Sequence, residues 1–106
     1  MDNLLEFLDK SKTAYHAHDE AVKLLFRNGL EELKEKLPFK IKKGGKYFIS
    51  RDGSALIAFT VGEKLSFNIV ASHADSPCFK IKSNPEIKVE SYCKLNVERY
   101  GGGLNY

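Results

Sequence analysis

The sequence is poor in the features that mark several protein classes. It has two cysteines, Cys78 and Cys93, which form no metal-type pair and no disulfide framework. No apolar run approaches the roughly 20 residues needed to span a membrane. The opening "MDNLLEFLDK" has an acid at position 2 and lacks the apolar core of a signal peptide. The thiols are therefore expected to be free, in a reducing cytoplasm. Charge imbalance is slight, with 17 Lys and Arg against 14 Asp and Glu, a net charge of +3. A nucleic-acid surface needs many basic residues on one face, and these lysines are interleaved with acids. There is no internal repeat and no Ser/Pro-rich linker. What remains is a 106-residue chain that is 42% hydrophobic, which suits one globular unit of modest size.

The first 37 residues carry a helical pattern. Asn3 or Asp2 can cap a short helix with Leu4, Leu5 and Leu8 on one side. A second helix is predicted over residues 14–28, with Ala14, Ala17, Ala21, Leu24 and Leu25 on one stripe. Thr13 is its N-cap, Asn28-Gly29 its C-terminal stop, and Asp19 and Lys23 an i,i+4 pair. "LEELKEKL" gives a weaker helical signal that ends at Pro38.

Beyond Pro38 the pattern becomes that of strands. "KYFIS" and "SALIAFTV" flank Asp52-Gly53, a strong hairpin signal. "LSFNIVAS" is apolar enough to predict a central strand. "CFKIK" reads as a strand with one wet face, "SNPE" as a turn, and "IKVESYCKLNVERY" as one or two further strands. The fold expected is α/β or α+β, with N-terminal helices followed by a largely antiparallel or mixed sheet. The final "GGGLNY" is an odd ending for a complete domain, and suggests a piece of a longer polypeptide.

Chemistry concentrates in "VASHADSPC", where a predicted strand ends on His73 and Asp75. Residues i and i+2 of a strand point to one face, so the two side chains would look the same way. Histidine is the commonest metal ligand, and a carboxylate beside it commonly orients it. The pair alone leaves two readings open: a hydrogen-bonded strand end without metal, which is the commoner case, or one side of a metal site. His18 is expected to be solvated or capping, and His16 to pack or hydrogen-bond locally. The lysines of "KIKKGGK" lack phosphate-loop spacing and read as a solvated loop. Cys78 reads as a buried or half-buried thiol, and Tyr100-Gly101-Gly102-Gly103 as either a bend or a close backbone approach.

"SHADSPCFKIKSNPEI" followed by "VERYGGGLNY" resembles the aspartyl aminopeptidase family of co-catalytic zinc exopeptidases. "AYHAHDEAVKLL" is similar to that family's first helix, and "GGKYFISRDGSALIAFTVG" to its Gly-Gly-Lys-Tyr-Phe hairpin. The resemblance covers residues 2–106 in order. It implies that His73 is a zinc ligand and that Asp75 is an active-site aspartate that holds the histidine without ligating. It implies two zinc ions per site and a peptide substrate trimmed from its N-terminus with preference for an acidic residue. A homo-oligomer is expected, and the charge balance and the short apolar runs point to neither nucleic acid nor membrane as partner. Residues 1–76 would then begin a catalytic domain, and 77–106 would lead into an inserted second domain. The family's remaining ligands and its Glu-Glu pair have no counterpart in these 106 residues, so the chain alone is expected to be inactive. A rival is a non-catalytic binding or assembly module that keeps the front of the fold. If the chain is a fragment, its exposed strand edges are expected to favour self-association.

Overall fold

The computed structural model describes residues 2–64 and 66–102. They fall into two compact units, 1–75 and 76–106. In the first, helices α1 (Asp2–Lys10) and α2 (Ala14–Arg27) precede strands β1 (Glu31–Glu32), β2 (Lys46–Arg51) and β3 (Ala55–Thr60). The second is a ribbon of β4 (Cys78–Val89) and β5 (Tyr92–Tyr100). Two helices followed by mixed and antiparallel sheets match the expected class. Among the described residues, no helix is long and apolar enough to cross a membrane.

Local signals set the boundaries of α2. Thr13 is extended at φ −137° and its hydroxyl accepts the His16 N–H, satisfying a donor that the first turn cannot pair. At the other end the Asn28 N–H returns to the Leu24 and Leu25 carbonyls, and Gly29 turns left-handed at φ +76°. Lys23 pairs with Glu20 at 2.6 Å rather than with Asp19.

β2 is the centre of the first unit. It pairs in parallel with β1 and antiparallel with β3, in the order β1-β2-β3. Successive side chains face opposite sides, yet Tyr47 and Phe48 are both buried, at 4% and 0% exposure. The Phe48 ring meets Phe26 of α2 edge-on, with centroids 5.0 Å apart. Tyr47 faces Phe59 across the ladder, and its hydroxyl accepts the Lys42 N–H at 3.0 Å. A Cβ at position 45 would collide with the Tyr47 ring, so only glycine lets the 40–45 loop close over it. The Asp52-Gly53 turn forms as expected, both residues at positive φ.

Three expectations fail for identifiable reasons. "LEELKEKL" is not a helix. Its start becomes β1, and the Leu33 N–H donates to the Phe48 carbonyl at 2.8 Å while Leu33 is buried. A segment that short cannot repay helix nucleation when a sheet edge offers a partner. "SNPE" is not a turn but part of β4, where the register slips between Ile81 and Glu86. Pro85 is tolerated there because a bulge on a two-stranded ribbon needs no donor from it. The turn falls at Glu90-Ser91, after Val89 pairs with Tyr92.

The third failure is the central strand. Residues 66–71 join no ladder, and Phe67, Ile69 and Val70 are 81%, 82% and 99% exposed. A strand exists through its neighbour's hydrogen bonds, and no described segment runs beside this one. Leu65 and the tail from Gly103 to Tyr106, including the third glycine, lie outside the described residues. Gly101 takes φ +87°, and a Cβ on it would come within 3.0 Å of Pro77 Cα, so it serves both as a bend and as a close approach.

Candidate metal centre

His73 and Asp75 do meet, though not through the pleat of a strand. A bend at Ala74 folds the chain back on itself. His73 Nδ1 then lies 2.8 Å from the Asp75 carbonyl oxygen and 3.2 Å from Asp75 Oδ1. A carbonyl can only accept, so Nδ1 carries the proton and donates. In the neutral ring this leaves the Nε2 lone pair available to a metal, the division of labour usual for ligating imidazoles. The imidazole is 79% exposed and the carboxylate 46%, so the pair is open to solvent and contributes little to stability.

The other histidines are engaged elsewhere. His16 makes the local contact expected of it, since the Thr13 hydroxyl lies 2.8 Å from its Nδ1. His18 departs from expectation: it is buried at 7% exposure, with Nε2 2.8 Å from Ser50 Oγ on β2 and Nδ1 3.4 Å from Asp19 Oδ1. The signal was present in the sequence, because His18 falls between Ala14, Ala17 and Ala21 on the apolar stripe. Its two partners give a buried polar ring the hydrogen bonds it needs. Among the described residues, no group of three His, Cys, Asp or Glu side chains gathers to hold a metal.

Two further candidates lose their chemistry. In the 42–45 loop the Lys42, Gly44 and Gly45 N–H groups already donate to the Tyr47 hydroxyl, the Val61 carbonyl and the Lys42 carbonyl. No cradle of free donors is left there for phosphate. Cys78 and Cys93 are free thiols and both exposed, against the expected burial of Cys78, because a two-stranded ribbon leaves both its faces in water.

Residues 7–106 match the sequence profile described as "Aminopeptidase I zinc metalloprotease (M18)". The chain belongs to the M18 family. It is 47% identical to a Probable M18 family aminopeptidase 2 of Clostridium novyi (strain NT), over 97% of this chain and 25% of that protein. It is 39% identical to a Probable aspartyl aminopeptidase of Ricinus communis, over 96% of this chain and 22% of the relative. The fold superposes on the solved mApe1 of Chaetomium thermophilum with a TM-score of 0.79 and 32% identity, covering 98% of this chain and 25% of the other. It also superposes on the S. cerevesiae mApe1 dodecamer, with a TM-score of 0.71 and 29% identity over 98% of this chain and 26% of that one. The chain thus spans about a quarter of the length of the curated relatives it matches.

M18 is a family of zinc metalloproteases, and the donors present fit one position of such a site rather than a whole one. His73 Nε2 is a suitable nitrogen, and the Asp75 carboxylate sits where it can hold the ring. Catalytic zinc sites generally take about three protein ligands.

Proposed function

We propose that this chain forms the front quarter of a metal-dependent aminopeptidase. It would release single N-terminal residues, with acidic ones preferred, from peptides in the cytoplasm. His73 is its first zinc ligand. Asp75 is the active-site carboxylate that fixes the ring and keeps Nε2 free to ligate. The observation that carries this reading is the exposed imidazole with Nδ1 tied to Asp75, in a chain of the M18 family. The acidic preference is supported by the name of the Ricinus communis relative, and a homo-oligomer by the dodecameric neighbour. Two zinc ions, when bound, would polarise a scissile carbonyl and supply hydroxide. This chain's own contribution is to hold the imidazole in the ligating tautomer.

The coding sequence beyond Tyr106 is the first test. A continuing frame with an adjacent Glu-Glu pair supports the enzyme; an immediate stop overturns it in favour of a non-catalytic module. The second test is turnover by the 106-residue chain. With added zinc or cobalt, it should release nothing above background from Asp- or Glu-p-nitroanilide. Metal-dependent turnover that survives purification and vanishes in His73→Ala would show instead that the chain completes a site by itself.

A further inference from the structure

Positive charge is unevenly spread along the chain. Lys36, Lys40, Lys42, Lys43 and Lys46 stand in a stretch of eleven residues that holds no acid. That stretch carries +5 in a chain of net charge +3, so the remaining residues sum to −2. The acids just before it are already engaged. Glu35 accepts from Arg51 Nε at 3.0 Å and Nη2 at 2.9 Å, and Glu32 lies 3.9 Å from Lys34. All five lysines are exposed, and among the described residues none of them is in an ion pair.

Apolar side chains are threaded between these charges. Leu37, Phe39 and Ile41 are 61%, 46% and 45% exposed. Residues 38–43 join no ladder, and among the described residues the N–H groups of Phe39, Lys40 and Ile41 meet no protein acceptor. The order Phe39-Lys40-Ile41-Lys42 alternates apolar and charged with a period of two, the period of a chain that pairs as a strand. An added strand uses both features: main-chain hydrogen bonds hold it and alternate side chains select it. Like charge keeps a second copy away, as lysine does on open strand edges. A segment of opposite sign meets no such barrier.

We propose that residues 36–46 bind an extended acidic segment of another protein, one in which Asp or Glu alternates with apolar residues. The acids pair with Lys40, Lys42 and Lys43, and the apolar residues cover Phe39 and Ile41. Nucleic acid matches the charge, but its bases stack on aromatic platforms, and Phe39 is the sole aromatic residue of the stretch. An anionic lipid surface also matches the charge, but it is indifferent to the alternation. The assignment is independent of the zinc reading.

Fluorescence anisotropy of a labelled Ac-Glu-Val-Glu-Val-Glu-Val peptide with the 106-residue chain tests it. The acetyl cap removes the free amine that an aminopeptidase would read. We expect a dissociation constant of about 10–100 µM, as a small contact allows, rising about tenfold from about 50 to 500 mM salt. K40Q/K42Q/K43Q should weaken binding about tenfold or more. K80Q/K82Q/K88Q makes the same change of charge on the β4–β5 ribbon and should stay within about twofold. The isomer Ac-Glu-Glu-Glu-Val-Val-Val should bind about fivefold more weakly or worse, and His73→Ala should leave binding within about twofold of the parent. No binding by the parent, equal losses in the two triple variants, equal binding of the two isomers, or loss in His73→Ala would each overturn the proposal. A chain that ignores the peptide but sediments with phosphatidylserine vesicles would overturn it in favour of a lipid surface.

Discussion

The segments 46–51 and 66–71 have much the same composition and opposite fates. "KYFISR" carries three apolar residues among polar ones and "SFNIVA" four. The first is paired on both edges and buried on both faces. The second is unpaired, with Val70 99% exposed. The difference lies in what the surrounding chain supplies. β2 has β1 and β3 as ladder partners, α2 over the Phe48 face, and Phe59 with the 40–45 loop over the Tyr47 face. Residues 66–71 have none of these among the described residues. Each segment also has a histidine associated with it. His18 is locked onto Ser50 of β2, whereas His73, just past the second segment, is open to water. Burial makes one imidazole structural, and exposure leaves the other available for chemistry.

The sharpest way to break the comparison is to remove one apolar side chain from each segment. Phe48→Ala should destabilise the chain by about 3–5 kcal/mol, the cost of deleting a fully buried aromatic ring. Val70→Ala should change stability by less than about 0.5 kcal/mol, because Val70 already spends its surface on water. Urea denaturation followed by circular dichroism reads both. A large loss at Val70 would mean that 66–71 is packed in solution.

The hydrogen bond to His18 comes next in size. Ser50→Ala leaves His18 Nε2 buried beside a methyl group. An unmet buried polar atom costs about 1–3 kcal/mol. His73→Ala removes a contact that is equally short but exposed, and should lie within about 0.5 kcal/mol of the parent. Equal losses at the two positions would remove the distinction between a structural and an available histidine.

Much of the first unit was legible in the sequence because its signals are local. Thr13, Asn28-Gly29 and Asp52-Gly53 act on backbone within a few residues of themselves, so α2 and the β2–β3 hairpin follow from them. The misread strands and turn involve distant partners. Leu30, Leu33 and Leu37 have helical spacing, but Phe48, fifteen positions beyond Leu33, decides where the Leu33 N–H goes. Pro85 suggests a turn until β5 lies opposite it. The apolar content of 66–71 states a capacity to be buried, and capacity becomes a strand only beside another strand. The same division holds at the candidate centre. Spacing brought His73 and Asp75 together, but the contact arises from a bend at Ala74, and the Nδ1–H tautomer follows from a backbone carbonyl that no motif displays.

The smallest effect concerns the cap that holds the His18 helix in place. Thr13 joins the first turn of α2 twice: its hydroxyl oxygen accepts the His16 N–H at 3.3 Å and lies 2.8 Å from His16 Nδ1, to which it can donate its own proton. Thr13→Ala removes both contacts and should cost about 1 kcal/mol; Thr13→Ser keeps the oxygen and should recover most of that. Hydrogen exchange distinguishes a local from a distant consequence. Fraying from Ala14 would reach His18 within about one turn and loosen its grip on Ser50. Amides of the first turn of α2 and of β2 near Ser50 should therefore exchange faster in Thr13→Ala. Amides at 66–71 should be fast in the parent and unchanged in the variant, because nothing in that segment rests on α2. Protection at 66–71 that falls together with that of β2 would show that the two segments belong to one cooperative unit.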